Sequence, residues 1–215
     1  YLNELPVIQF RFDEIEADDV ISYVSRLPHY QGWQKVIVSN DKDFIQLCDD
    51  ETVLFRPTQK AVHNKNNVVE QFDIHPRNFA VARAIAGDAS DNLVGVPRAG
   101  LKSIAKNLNF LREDKDVTLH EVFDFCENTE SKAKFFANIL EHKDIVISNY
   151  KLMQLYAPAI SLQSQEKVHY ALNNFEHDYN KTEILRMMNQ DGFGVFNWED
   201  LHGTMNKICI DKALR

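Results

Sequence analysis

The sequence predicts an α/β fold, a partial parallel sheet followed by a mostly helical region. Three observations carry that expectation. Strand-like, helix-like and strand-like patterns follow one another from Pro6 to Ser39. The second of these strands, Lys35-Val-Ile-Val-Ser39, is a short continuous apolar run of the kind that parallel sheets bury on both faces. After Gly87 strand signals cease, and helical periodicity continues to the end of the chain.

In chain order, Pro6 to Phe12 alternates apolar and polar residues (Val7, Ile8, Phe10, Phe12), which reads as a strand. Glu16 to Leu27 carries Val20, Ile21 and Val24 at helical spacing, with acids in its first turn. The run at 35–39 completes a βαβ unit, whose crossover is almost always right-handed. Asp43 to Cys48 reads as a short helix and Thr52 to Arg56 as a further strand. Pro76 suits the first position of a helix that reaches Ala86 and is closed by Gly87. Asn92 to Gly100 is turn-rich, and Leu101 to Phe110 is a basic amphipathic helix. Helices near 118–127, 131–156, 164–174, 180–190 and 198–208 would account for the rest. Only three strands emerge, fewer than a parallel sheet needs to cover both faces, so part of the sheet is expected to lie elsewhere. The expected division is 1–75 for the α/β part, 76–115 for the turn-and-helix element and 116–215 for the helical remainder.

Composition narrows the function classes. The chain has 215 residues, 44% apolar and 26% charged, which excludes disordered, collagen-like and coiled-coil classes. No apolar run approaches the ~18–20 residues a bilayer span needs, so no membrane partner is expected. Cys48, Cys126 and Cys209 are odd in number and lack CxxC spacing. Neither a disulfide scaffold nor structural zinc is expected, and a reducing, cytoplasmic compartment fits.

The net charge of −8 at first argues against nucleic acid as a partner. Its distribution reverses that. Asn92 to Arg112 holds four basic residues and no acid, inside a chain that is otherwise acidic. Seven of the 32 acids fall in three tight groups, and without them 25 acids face 24 basic residues. If those groups bind cations, the remainder is close to neutral.

The three groups are Glu16, Asp18 and Asp19, then Asp41 and Asp43, then Asp88 and Asp91. The first two follow strands, where open α/β sheets place their sites. Each alone has an ordinary explanation: first-turn acids favour the helix dipole, Asp41 can cap a helix, and Gly-Asp-x-x-Asp-Asn can be a plain turn. Together they suggest convergence. Seven carboxylates in one place would repel unless cations neutralised them, and hard oxygen ligands without His or Cys favour Mg²⁺ or Mn²⁺. Two such ions could activate a water and stabilise the leaving oxygen of a phosphodiester.

Asn92 to Ala105 then reads as two glycine turns leading into a helix. Gly95, Val96 and Gly100 would let backbone approach a phosphate, while Arg98, Ser103 and the pair Lys102 and Lys106, on one face, would surround it. Such contacts read no base, so binding would be sensitive to salt and indifferent to sequence.

With these residues in view, Glu-Ala-Asp-Asp at 16–19, Ser-Asn-Asp-Lys-Asp-Phe at 39–44, Gly-Asp-Ala-Ser-Asp-Asn at 87–92 and Gly-Val-Pro-Arg-Ala-Gly-Leu-Lys at 95–102 resemble the structure-specific 5′ nucleases. That family holds flap endonucleases, the 5′ nuclease domain of bacterial DNA polymerase I and phage 5′–3′ exonucleases. The likeness is closest to the phage group, including the ribonuclease H type of T-even phages. The resemblance implies a PIN-like 5′ nuclease core, then a helix-three-turn-helix DNA-binding element. It implies Mg²⁺- or Mn²⁺-dependent 5′–3′ exonuclease and flap endonuclease cleavage of branched DNA or RNA–DNA duplexes by two metal ions. Glu16, Asp18 and Asp19 would hold the first metal with Asp41 and Asp43 nearby, and Asp88 and Asp91 would complete the second site. Gly95 to Gly100 would form the hairpin that grips the duplex, with a K⁺ ion, and Lys102 and Lys106 would contact phosphates. Duplex DNA with a 5′ flap or single-stranded 5′ end, an RNA–DNA hybrid and replication proteins would be the partners of a monomer, in host cytoplasm for a phage protein.

Two departures stand out. Arg98-Ala99-Gly100 replaces the family's Gly-Ile/Val-Gly, trading glycine's freedom at φ > 0 for a charge. The family also opens with a strand bearing an Asp, a second Asp and a basic helical arch. None of these lies before Tyr1, so the chain is expected to correspond to the C-terminal two thirds of such a nuclease. Two rivals are weighed. A haloacid-dehalogenase-type phosphatase would use the strand and Asp41-Lys-Asp43 but leaves Glu16–Asp19 and the glycine hairpin unexplained. A truncated DNA-binding module would hold DNA through Arg98, Lys102 and Lys106 without cleaving it. His63, His75 and His120 read as packing or surface residues, and no Ser–His or Cys–His pair suggests a nucleophile.

Overall fold

The computed structural model describes residues 1–176, 178–193 and 197–213. The chain separates into two compact units, Ile15–Ile160 and a second formed by Tyr1–Glu14 with Ser161–Arg215.

The larger unit holds the sheet. Helix α1 (Ala17–Ser25) precedes β1 (Lys35–Val38), and a 3₁₀ turn at Asp43–Leu47 leads into β2 (Thr52–Arg56). β1 and β2 pair in parallel with Lys35 opposite Thr52 and Val38 opposite Phe55. A third strand, β3 (Ala61–His63), returns antiparallel to β2, Phe55 opposite Val62. The parallel pair matches the expected core, but β3 makes the sheet mixed. Its antiparallel return follows a tight turn in which Lys60 takes φ 50°. The strand expected at Pro6–Phe12 is not paired in the sheet; that segment runs with the second unit.

The core forms behind the sheet. Helix α2 (Lys65–Phe72) starts in a reciprocal cap between Asn64 and Asn67, and buries Val68. Pro76 opens a 3₁₀ turn, as its fixed φ favours, and α3 (Phe79–Ala86) follows and ends at Gly87. Phe79 to Ile85 are all buried, so α3 is the central helix of this unit. α4 (Leu101–Asn107), α5 (Leu119–Asn128), α6 (Lys134–Glu141) and α7 (Lys143–Met153) surround it. α5 begins in a capping box, Thr118 with Glu121. The single helix expected at 131–156 is two helices, divided at His142. There the His142 ring nitrogen Nδ1 lies 2.8 Å from the Asn138 carbonyl, and its backbone N–H is shared between Asn138 and Ile139. A side chain that bonds its own preceding turn competes with regular helix continuation.

Two buried amides fix connections. Asn149 on α7 donates to the carbonyls of Ala84 and Val94, tying α7 to the end of α3 and the loop after it. Asn78 donates to the carbonyls of Leu111 and Glu113 and accepts from the Val117 N–H, which pins the α4–α5 connection. Unsatisfied, such groups would be costly, so they specify these loop paths.

In the second unit, α8 (Leu162–Asn173), α9 (Lys181–Gln190) and α10 (Trp198–Ala213) accompany the N-terminal segment. The Asn180 N–H donates to the Glu4 carbonyl, and the Tyr1 hydroxyl donates to Asp191. Among the described residues no helix is long and apolar enough to cross a membrane.

Candidate active site

The second acidic group sits just past the carboxyl end of β1. Arg56, buried at the end of β2, donates through Nε and Nη2 to the Asn40 carbonyl at 3.1 and 2.7 Å. The Asn40 side chain in turn accepts from the Thr58 N–H. These bonds hold the turn from which Asp41 and Asp43 project. Asp41 accepts the Asp43 backbone N–H at 2.8 Å, so the two acids share one turn. On its other side the turn is anchored by Gln46, which donates to the Met153 carbonyl and accepts from the Leu155 N–H.

The third group lies on a tight hairpin after α3. Asp88 and Leu93 exchange backbone bonds of 2.8 Å in both directions, and Asn92 takes φ 57°. The hairpin closes because Gly87 and Gly95 meet backbone to backbone. A Cβ on Gly95 would collide with the Ala86 carbonyl, and one on Gly87 with the Gly95 amide. Val96, buried, then donates its N–H to the Ile85 carbonyl. Gly95 and Val96 thus pack the hairpin against α3.

Arg83 joins the two groups. It is the only charged residue of α3, and its side chain is 9% exposed. Its Nε donates to Asp43 Oδ1 at 3.0 Å and its Nη2 to Asp88 Oδ2. The side chains of Asp43 and Asp88 are 14% and 15% exposed. Asp88 Oδ1 also accepts from the backbone and hydroxyl of Ser90. Burial raises the pKa of Asp43, Arg83 lowers it, and Asp41 and Asp91 raise it again. Asp91, itself exposed, thus stands in the electrostatic reach of Asp43. Asp41, Asp43, Asp88 and Asp91 form one neighbourhood.

The first group does not join it by any direct bond. Glu16 is the exposed N-cap residue of α1, and Asp18 and Asp19 occupy its first turn. Asp18 accepts from the Asp19 N–H at 2.9 Å. Burial raises the Asp19 pKa, Asp18 adds to that, and a backbone hydrogen bond from Ala159 opposes it. Ser22 and Arg26 donate to the Leu155 carbonyl, so α1 and the Asp43 turn are tied to the same segment. No hydrogen bond or ion pair links Glu16, Asp18 or Asp19 to the other four acids, and among the described residues no three His, Cys, Asp or Glu stand in metal-holding geometry. The donor set nonetheless suits a hard divalent cation. Four carboxylates against one guanidinium leave an uncompensated charge of about −3, and every donor is oxygen.

The basic element lies beyond the hairpin. Arg98 takes φ 65° despite its side chain, so the conformation that glycine would favour is adopted by an arginine. Ser103 donates within its own turn, 2.8 Å from the Gly100 carbonyl, and so holds the start of α4. Arg98, Gly100, Lys102 and Lys106 are exposed, and among the described residues none of the three cations has an ion pair. Two of the thiols are held protonated: burial pushes Cys48 up to about 12 and Cys126 up to about 11. His63 and His75 are buried, and His120 is an exposed partner of Asp124. Arg83 is the link between two of the acidic groups that the motifs do not reveal. Its signal is a lone arginine inside the apolar run Phe-Ala-Val-Ala-Arg-Ala-Ile-Ala.

Residues 1–73 match the family model described as 5′–3′ exonuclease, N-terminal resolvase-like domain. A 5′–3′ exonuclease of Buchnera aphidicola subsp. Schizaphis graminum is 34% identical over 102 residues, 47% of this chain and 36% of that protein. One from Aquifex aeolicus is 30% identical over 141 residues, 66% of this chain and 45% of that protein. The chain is thus similar to the 5′–3′ exonucleases of the 5′ nuclease family. It spans between about a third and a half of the length of these family members. The crystal structure of the T5 D15 protein co-crystallised with metal ions has the same fold, with a TM-score of 0.60 at 20% identity, over 77% of this chain and 62% of that one.

Proposed function

We propose that this chain is the catalytic and DNA-gripping part of a divalent-metal-dependent 5′ nuclease, one that hydrolyses phosphodiesters at 5′ flaps or single-stranded 5′ ends of duplex DNA or RNA–DNA hybrids. The observation that carries the reading is the shared neighbourhood of Asp41, Asp43, Asp88 and Asp91, two of them partly buried against one arginine, next in sequence to an exposed basic element. Relatives described as 5′–3′ exonucleases, and T5 structures described with metal ions and with DNA, support it.

Asp41, Asp43 and Asp91 would present carboxylate oxygens to Mg²⁺ or Mn²⁺, with Asp88 behind them, and Glu16, Asp18 and Asp19 would close the site from the start of α1. When bound, such ions stabilise charge developing on the phosphodiester and acidify a nearby water. The chain's own part is positional. Arg56 and Gln46 fix the Asp41–Asp43 turn, the Gly87–Gly95 contact fixes the Asp88–Asp91 hairpin, and Arg98, Lys102 and Lys106 would hold the sugar–phosphate strand without reading bases. No side-chain nucleophile is needed, in keeping with the protonated thiols of Cys48 and Cys126.

The test is incubation of the polypeptide with a 5′-flap duplex and Mg²⁺. Cleavage that chelator abolishes is expected, and Asp91→Asn should remove it while duplex retention persists; an unchanged rate in that variant would refute the metal-ligand reading. A second reading, a DNA-binding module without chemistry, is favoured by the finding that among the described residues no three of these acids stand in metal-holding geometry. Salt-sensitive retention with no product at any metal concentration would establish it.

A further inference from the structure

We infer that Arg83 is a positioning residue, whose planar guanidinium sets the spacing of the two acidic loops so that their remaining oxygens can take a divalent cation. The inference rests on the reading of this site as a metal centre. Asp43 and Asp88 are 45 residues apart and belong to a turn after β1 and a hairpin after α3. Among the described residues only Arg83 bonds to both. Its Nε and Nη2 are held in one rigid plane, so two parallel demands are met at fixed separation, which a lysine ammonium on a flexible stem does not reproduce.

The allocation of oxygens sharpens the role. Asp88 has both oxygens engaged by protein donors, Oδ2 by Arg83 and Oδ1 by Ser90. Asp43 gives Oδ1 to Arg83, and among the described residues no donor is bonded to its Oδ2. Arg83 thus uses Asp88 as its anchor on the hairpin and engages one oxygen of Asp43, a carboxylate within electrostatic reach of Asp41 and Asp91. A guanidinium buried in an apolar helix needs this pair as much as the pair needs it, because an unpartnered buried charge is strongly disfavoured. Partners that orient metal-binding carboxylates typically change metal affinity by ~10–100-fold when removed.

Charge and position make opposite predictions. As a mere positive charge, Arg83 would repel a metal, so Arg83→Met would tighten binding and Arg83→Lys would leave it unchanged. As a positioning residue, it should be missed in both variants. The experiment is Mn²⁺ titration followed by electron paramagnetic resonance of the free ion, without nucleic acid, on the wild-type chain, Arg83→Lys and Arg83→Met, with thermal unfolding of the metal-free proteins alongside. The expected result is Mn²⁺ binding by the wild type that weakens ~10–100-fold in Arg83→Lys although the charge is kept. Arg83→Lys retains a cation for the buried acids, so it carries the test if Arg83→Met does not fold. Wild-type affinity in a folded Arg83→Lys would overturn the positioning role and leave the metal centre standing. No binding by the wild type would overturn the metal reading and this inference with it.

Discussion

A methyl group added at Gly95 has nowhere to go, because its Cβ would fall within contact of the Ala86 carbonyl and the Gly87 amide, both backbone atoms that cannot step aside. Gly100 is the opposite case, at φ −73° with nothing near the place its Cβ would occupy. The sequence pattern made the two glycines look alike, as paired turns around a phosphate; packing separates them. Gly95→Ala should therefore destabilise the chain by at least ~1–3 kcal/mol through overpacking, whereas Gly100→Ala should stay within ~0.5 kcal/mol of wild type. Urea unfolding of both variants checks this, and equal midpoints would mean that the hairpin does not depend on the Gly87–Gly95 contact. The acids divide in the same way. Asp91 is exposed and unpaired with Arg83, so Asp91→Asn should lose activity with little change in stability. Asp43→Ala should lose both, since it leaves Arg83 half unpartnered in a buried position.

At the scale of elements, legibility followed how local the cause was. β1, β2, α3 and α5 were readable because an apolar run, a proline start, a glycine stop or helical periodicity lies within a few residues. β3 and α2 were not, because β3 is three residues long and α2 begins with an Asn–Asn cap rather than the usual Ser/Thr–Glu pair. Pro6–Phe12 has a strand's alternation without a sheet neighbour to pair with, and alternation alone does not supply one. The acidic groups were legible as motifs; that Arg83 gathers two of them was not, since the spacing of Asp43, Arg83 and Asp88 carries no local periodicity. For α4 the sequence expectation yields a measurable consequence. Lys102 and Lys106 are exposed and, among the described residues, without ion pairs, so replacing both by alanine should reduce the salt slope of duplex binding by about 1.8, at ~0.9 per phosphate contact. A slope identical to wild type in fluorescence anisotropy would remove these lysines from the phosphate path.

At the scale of the whole molecule, the sheet leaves one face open: Val36, Val38 and Val62, 56%, 63% and 51% exposed, flank Val53 and Phe55 on the same side. Stability therefore leans on the helical core behind the other face, and that core encloses two histidines. The His63 ring has no hydrogen-bond partner among the described residues. His75 accepts the Arg77 N–H at Nδ1, and its Nε2 faces Asp114 across 3.4 Å without a hydrogen bond. Burial lowers both pKa values; Arg56 adds to the effect at His63, while at His75 Asp114 opposes it and Lys65 and Arg77 reinforce it. A depressed folded-state value means that, as pH falls below about 6.5, the unfolded chain takes up protons before the folded one does. Protons bound preferentially by the unfolded state make stability rise with pH in that window, so stability is fully present above about 6.5 and declines below it. Asp19 and Asp43, raised by burial, act in the opposite sense at lower pH, which confines the histidine effect to the mildly acidic range. Urea midpoints should be flat between about pH 7 and 8 and fall toward pH 5, and His63→Leu should shallow that fall without a protonatable ring at the site. Identical slopes for wild type and His63→Leu would show that the His63 ring titrates in the folded core as freely as in water.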